Sequence, residues 1–112
     1  AQFSTEMRSG KIIKIDDGFT KLLGYTEDDV KNGLVFKQFV PDLEYSEIIA
    51  ELREQFIEKK YACYRHEVVS KTGEIRMIVA FFTIQNKLLN GHRVLEVSVA
   101  DITDYTHFPE TK

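Results

Sequence analysis

Few side chains in this sequence of 112 residues could do proton transfer, metal binding or nucleophilic chemistry, and spacing limits what they could do together. Tyr64, His66 and Glu67 fall in one β-rich run, YACYRHEVVS (61–70). Alternation along a strand puts Tyr64 and His66 on one face and Glu67 on the other, so His66 and Glu67 make a poor acid–base pair. A core histidine bonded to backbone or a hydroxyl is the simpler reading of His66. The sharper one has Tyr64 and His66 orient a small molecule in an apolar pocket, with Ala80 leaving room for it. Cys63 is expected to point outward as a small apolar filler. As the one cysteine, it excludes an internal disulfide and a cysteine-cluster metal site, and it fits a reducing compartment. His92 lies in a turn and His107 in the tail, so no metal cluster assembles from the sequence. Asp16-Asp17 and Asp28-Asp29 read as helix caps rather than paired catalytic carboxylates. Without a nucleophile elbow or a phosphate-cradling glycine loop, the residues argue against an enzyme.

The elements that must position these residues begin with three long strands, Tyr61 to Ser70, Ile75 to Asn86 and Val94 to Thr103. Lys71-Thr72-Gly73-Glu74 and Leu88-Leu89-Asn90-Gly91 separate them, and each break carries a glycine suited to a hairpin turn. Short connections make this an antiparallel meander. Phe3 to Met7 and Lys11 to Ile15 predict a further hairpin, giving five strands. Between hairpin and meander, Asp16 caps a short helix over Gly18 to Leu23 that ends at Gly24. Thr26 with Asp29 forms a capping box for a second, and Val35 to Val40 a third short turn stopped before Pro41. From Leu43 to Lys59 the period becomes 3.6, with Tyr45, Ile48, Ile49, Leu52, Phe56 and Ile57 in one stripe. The fold class is α+β with an antiparallel sheet.

One face of that sheet lacks cover. On the middle strand Ile78, Ala80, Phe82 and Ile84 share one side, while Met77, Val79 and Phe81 share the other. The helices suffice for one face, so Met77, Val79 and Phe81, joined by Ile12, predict an interface with a second copy of the chain. A net charge of −3 with scattered basic residues gives no sign of nucleic-acid binding. No apolar run reaches membrane-span length and no signal peptide is visible, so a cytoplasmic location is expected. The abrupt start and end suggest a single domain cut from a longer chain, ordered over about residues 3–105, with 106–112 beginning a linker.

Four separated stretches together resemble the PAS family of sensor modules. Gly10 to Asp16 (GKIIKID) is similar to its opening hairpin strand, although Asp16 stands where the family usually has Asn. Phe19 to Val30 (FTKLLGYTEDDV) resembles its helix ending in Leu-Gly-Tyr, Lys71-Thr72-Gly73 its Lys/Arg-Asp-Gly turn, and Asp101-Ile102-Thr103 its closing motif. The resemblance implies a five-stranded sheet of order 2-1-5-4-3 with helices clasping one face around a small pocket. Ile13, Ile15, Tyr64, His66, Ile78, Ala80, Phe82, Leu95, Val97 and Val99 would then face the helices, met by Phe36, Phe39, Ile48, Leu52 and Phe56.

The resemblance further implies a non-enzymatic sensor of a bacterial signalling protein, with a fused output of histidine-kinase or diguanylate-cyclase type. Asp101, Ile102 and Thr103 would relay the signal. No histidine lies between Thr26 and Lys60, which argues against haem, and the Asn-Cys-Arg-Phe-Leu flavin motif is missing. A small organic ligand, or none, remains. The alternatives are an empty-core PAS module that only dimerises and relays, and, more distantly, a small pocket enzyme.

Overall fold

The computed structural model describes residues 1–104, apart from the side chain of Lys87. Five strands and three helices form in the order β1 (Gln2–Glu6), β2 (Ile12–Ile15), α1 (Asp17–Leu23), α2 (Glu27–Lys31), α3 (Asp42–Phe56), β3 (Tyr61–Val69), β4 (Ile75–Leu89) and β5 (His92–Asp101), with a 3₁₀ turn at Phe36–Phe39. The sheet is antiparallel in the order β2-β1-β5-β4-β3, as the resemblance implied.

Local rules account for the short elements. The Asp16 carboxylate accepts the Phe19 N–H at 2.8 Å, and Gly24 closes α1 at φ +83°. Thr26 and Asp29 exchange side-chain and backbone bonds across the first turn of α2. The β4–β5 hairpin turns on Asn90-Gly91, both at positive φ, the pair that a type I′ turn favours. β4 runs three residues further than expected, to Leu89, because a register break between Ile84 and Leu88 interrupts the ladder without ending it.

A bulge also revises the β1–β2 hairpin. Phe3 pairs with Ile15 and Ser4 with Lys14, but Thr5 pairs with Ile12, which leaves Ile13 as the extra residue. The bulge breaks the alternation, so Ile12 and Ile15 both turn inward. Ile12 is 1% exposed within the core, whereas the sequence pattern put it on the outer face and Ile13 inside.

The core lies between the inner sheet face and α1, the 3₁₀ turn and α3. Phe3, Phe19, Phe36 and Phe39 interlock there at ring-centroid distances of 5.3 to 6.2 Å, mostly edge to face. Ile48 and Leu52 are the buried residues of α3, a narrower stripe than the sequence suggests. Phe56 is only partly buried, and Ile57, past the helix end, is 72% exposed. α3 packs over β3 at the sheet edge, not over its centre.

Candidate functional site

Two polar side chains set that offset. Gln55 acts as a backbone mimic: its Nε2 donates to the Cys63 carbonyl at 2.8 Å, and its Oε1 accepts the Cys63 N–H at 2.8 Å. In the first turn of α3, the Glu44 carboxylate accepts the Glu67 N–H at 3.3 Å. These three bonds cap backbone groups of the edge strand β3 that would otherwise be open to pairing. They also hold α3 against β3 and away from β1 and β5.

The consequence is two unequal spaces on the inner face. The first is a core void of about 10 Å³, walled by Phe3, Phe19, Phe36, Phe39, Val68 and Phe82 and touched by His66 and Ala80. It has room for about one water. The second is a cleft of about 520 Å³ between α3 and the β1–β2 turn. Met7, Arg8 and Gly10 wall it on one side, Tyr45, Ile49, Arg53 and Phe56 on the other, with Phe36, Phe82 and Leu95 at its base. That volume falls within the range of small-molecule sites.

His66 is 3% exposed. Its Nδ1 lies 2.9 Å from the Glu67 carbonyl, which can only accept, so Nδ1 carries the proton and Nε2 presents a lone pair. Nε2 is buried and has no hydrogen-bond partner among the described residues. Burial pushes the imidazole pKa down, and the Glu67 carbonyl and the Glu44 charge offset this only in part. The ring is therefore neutral at pH 7. The Glu67 carboxyl moves the other way: a hydrogen bond with Glu44 comes first, then burial and the like charge, and all raise its pKa. His66 and Glu67 meet through imidazole and main chain, so the pair has no acid–base geometry.

The expected pocket residues divide between the two spaces. Phe39, His66, Ile78, Ala80 and Val97 line the void, Leu52, Phe56 and Leu95 line the cleft, and Phe36 and Phe82 wall both. Ile48 is fully buried and lines neither, and Tyr64 stacks on His66 at 5.9 Å outside both. Sequence reasoning missed Met7, Arg8, Gly10, Ile49 and Arg53 as site residues, although Ile49 lay in the helical stripe and Arg8-Ser9-Gly10 in the turn. On the outer face Val79 and Met77 are half-buried and Phe81 is 57% exposed. At the end of β5, Asp101 pairs with Arg76 at 3.3 Å, and the Thr103 hydroxyl accepts the Met77 N–H at 3.0 Å. Ile102 donates its N–H to the Met77 carbonyl, so all three residues of the closing motif engage the start of β4. Among the described residues no group of three His, Cys, Asp or Glu is placed to hold a metal, and no helix is long and apolar enough to cross a membrane. His107 and the expected linker 106–112 lie outside the described residues.

A five-stranded antiparallel sheet of order 2-1-5-4-3 with short helices and one longer helix on a single face is the PAS fold, and the chain has that fold. It is similar to a PAS domain from Colwellia psychrerythraea, with a TM-score of 0.79 at 19% identity over 93% of this chain and 86% of that one. A PAS domain of a two-component sensor histidine kinase matches at a TM-score of 0.73 and 13% identity, covering 90% and 83% of the two chains. The PAS-B domain of Drosophila melanogaster Cycle, with bound ethylene glycol, matches at 0.74 and 9%, covering 89% and 97%. No family model matches the sequence, and no curated protein matches it.

Proposed function

We propose that the chain is a non-enzymatic, cytoplasmic PAS sensor module that takes a small ligand in the cleft beside α3 and relays its presence through β5 to a fused output domain. The observation that carries this reading is the contrast between about 520 Å³ of cleft and about 10 Å³ of core void. The void is too small for a ligand, so the expected pocket moves outward to the cleft. Phe82 and Leu95 place β4 and β5 at the base of that cleft, and the same two strands end at the Asp101–Arg76 and Thr103–Met77 latch. A ligand that shifts α3 against β5 thus acts on the strand that leaves the domain. A histidine-kinase output is favoured over a diguanylate cyclase by the sensor histidine kinases among similar structures, including one from Burkholderia thailandensis at a TM-score of 0.66.

Phe81, exposed amid Val79 and Met77, favours a second element of the reading, self-association through the outer sheet face. Native mass spectrometry of the freshly purified chain reads ligand and oligomeric state together. A bound or added small molecule whose NMR shifts map to Ile49, Phe56 and Leu95 supports the sensor reading. A chain that stays bare through a broad small-molecule NMR screen overturns it. Light scattering of Val79→Lys/Phe81→Lys tests the interface, and a monomeric wild type at high concentration removes it.

A further inference from the structure

The sign of charge along α3 is uneven in a way that bears on the cleft. The helix carries five acids, Asp42, Glu44, Glu47, Glu51 and Glu54, and one base, Arg53. Its wall in the cleft consists of Tyr45, Ser46, Ile49, Ala50, Leu52, Arg53 and Phe56. Every acid is therefore off the cleft, and the single base is on it. Spacing explains why: Tyr45, Ile49, Arg53 and Phe56 follow at four, four and three residues and share one face. Across the cleft the β1–β2 turn adds a second base, Arg8, and Glu6, whose Oε1 already accepts the Ser9 hydroxyl at 2.7 Å. Neither Arg8 nor Arg53 makes an ion pair with the described residues. The base of the cleft is apolar, formed by Phe36, Phe82 and Leu95.

From this we infer that the cleft takes an anionic amphiphile, a carboxylate head with an unbranched apolar tail; the inference rests on the cleft being the ligand site. The tail lies along α3 over the stretch from Tyr45 to Phe56, about 16 Å at the helical rise, and removes Ile49, Phe56 and Leu95 from water. The head meets Arg53 and Arg8 at the rim, where guanidinium groups accept a carboxylate in paired hydrogen bonds. A small inorganic anion would leave the apolar base wet, and an amphipathic cation would meet two like charges. The anion also suits the wall in a chain whose net charge of −3 otherwise repels it, because the acids of α3 face elsewhere.

Three probes, each with a ten-carbon chain, separate the head from the tail: decanoate, decanol and decyltrimethylammonium, titrated below micelle formation into the isotope-labelled full chain. Decanoate should shift the signals of Met7, Ile49 and Leu95 and bind about five- to tenfold more tightly than decanol, the scale of two exposed ion pairs. Decyltrimethylammonium should bind more weakly than decanol. Arg53→Gln should remove most of the decanoate preference and leave decanol unchanged. Ala50→Trp, placed at an exposed position of the wall so that the core is untouched, should block all three. Equal affinities for decanoate and decanol, both blocked by Ala50→Trp, overturn the anionic head while the cleft stands as the ligand site. Failure of all three probes to shift the cleft signals also overturns the amphiphile. The sensor reading itself then falls only if the broad screen is blank as well.

Discussion

The void and the cleft share two walls, Phe36 and Phe82, and differ in what closes them. Around the void, four aromatic rings from β1, α1 and the 3₁₀ turn fill the space edge to face. Leu23, on the wall of the void, is tied to the β3–β4 turn by the Lys71 N–H, which donates to the Leu23 carbonyl at 2.8 Å, and the Lys71 ammonium pairs with Asp29 at 2.9 Å. Beside the cleft, α3 is held by its polar side chains to the far edge of the sheet, and nothing of similar bulk fills the place it leaves. Apolar interlocking makes a region that resists entry. Polar tethering of a helix off-centre leaves a region that invites it.

The largest expected effect separates two phenylalanines that a hydrophobicity pattern treats alike. Phe39 is 1% exposed and touches the rings of Phe3, Phe19 and Phe36. Phe39→Ala should cost about 3–5 kcal/mol in urea unfolding, as for buried aromatics generally. Phe56 lies on the half-open wall, and Phe56→Ala should cost about 1–2 kcal/mol, because less of its area leaves water on folding. Equal losses at the two positions would show that the cleft is closed in solution.

How much of this was legible in the sequence depends on how far apart the deciding residues lie. Asp16, Gly24 and the Thr26–Asp29 box act within four residues, and each cap stands where the pattern put it. The sheet order followed from a resemblance spread over the chain. The bulge at Ile13 was not legible, since KIIKI gives no cue to which isoleucine the ladder skips, and Ile12 moved from the outer face to the core. The cleft was hidden for a similar reason. It depends on Gln55 reaching Cys63 and Glu44 reaching Glu67, polar bonds between separate elements that hydrophobic periodicity does not register.

Ala80→Leu comes next in size. If the void were a ligand pocket, three extra carbons would fit with little loss. At about 10 Å³ they cannot, and overpacking should cost about 1–3 kcal/mol. A neutral result by urea unfolding would reopen the inner face as a binding site and weaken the contrast with the cleft.

On the other side, Gln55→Ala removes both bonds to the Cys63 backbone and should cost about 1–2 kcal/mol. The specific readout is hydrogen exchange: the Cys63 amide should lose protection while the amides of β1 and β5 keep theirs. Unchanged exchange at Cys63 would mean that packing alone, and not the amide clamp, holds α3 off-centre.

The smallest effect lies in the void and shows as a slope rather than a step. Burial depresses the His66 pKa, so the folded chain gives up that proton at lower pH than the unfolded chain, whose histidine titrates near about 6.5. Between the folded value and about 6.5 the unfolded state holds more protons, and stability must fall as pH falls through that window. The contribution is fully present above it. Glu67 opposes this at more acid pH, since its raised pKa gives a contribution present below the ordinary glutamate range and lost as pH rises through the folded value. Tyr64 stacks on the imidazole and Phe36 meets it edge to face, neither bringing a charge, so the Glu67 carbonyl and the Glu44 charge are what modulate it. His66→Phe keeps a ring in the same place, removes the unpartnered Nε2 and abolishes the titration. Its stability should therefore be flat from pH 7 toward pH 5.5, where the wild type declines, as read by urea midpoints at constant ionic strength. A parallel decline in both proteins would take the slope away from His66 and leave its ring as packing alone, since the raised Glu67 pKa acts in the opposite direction.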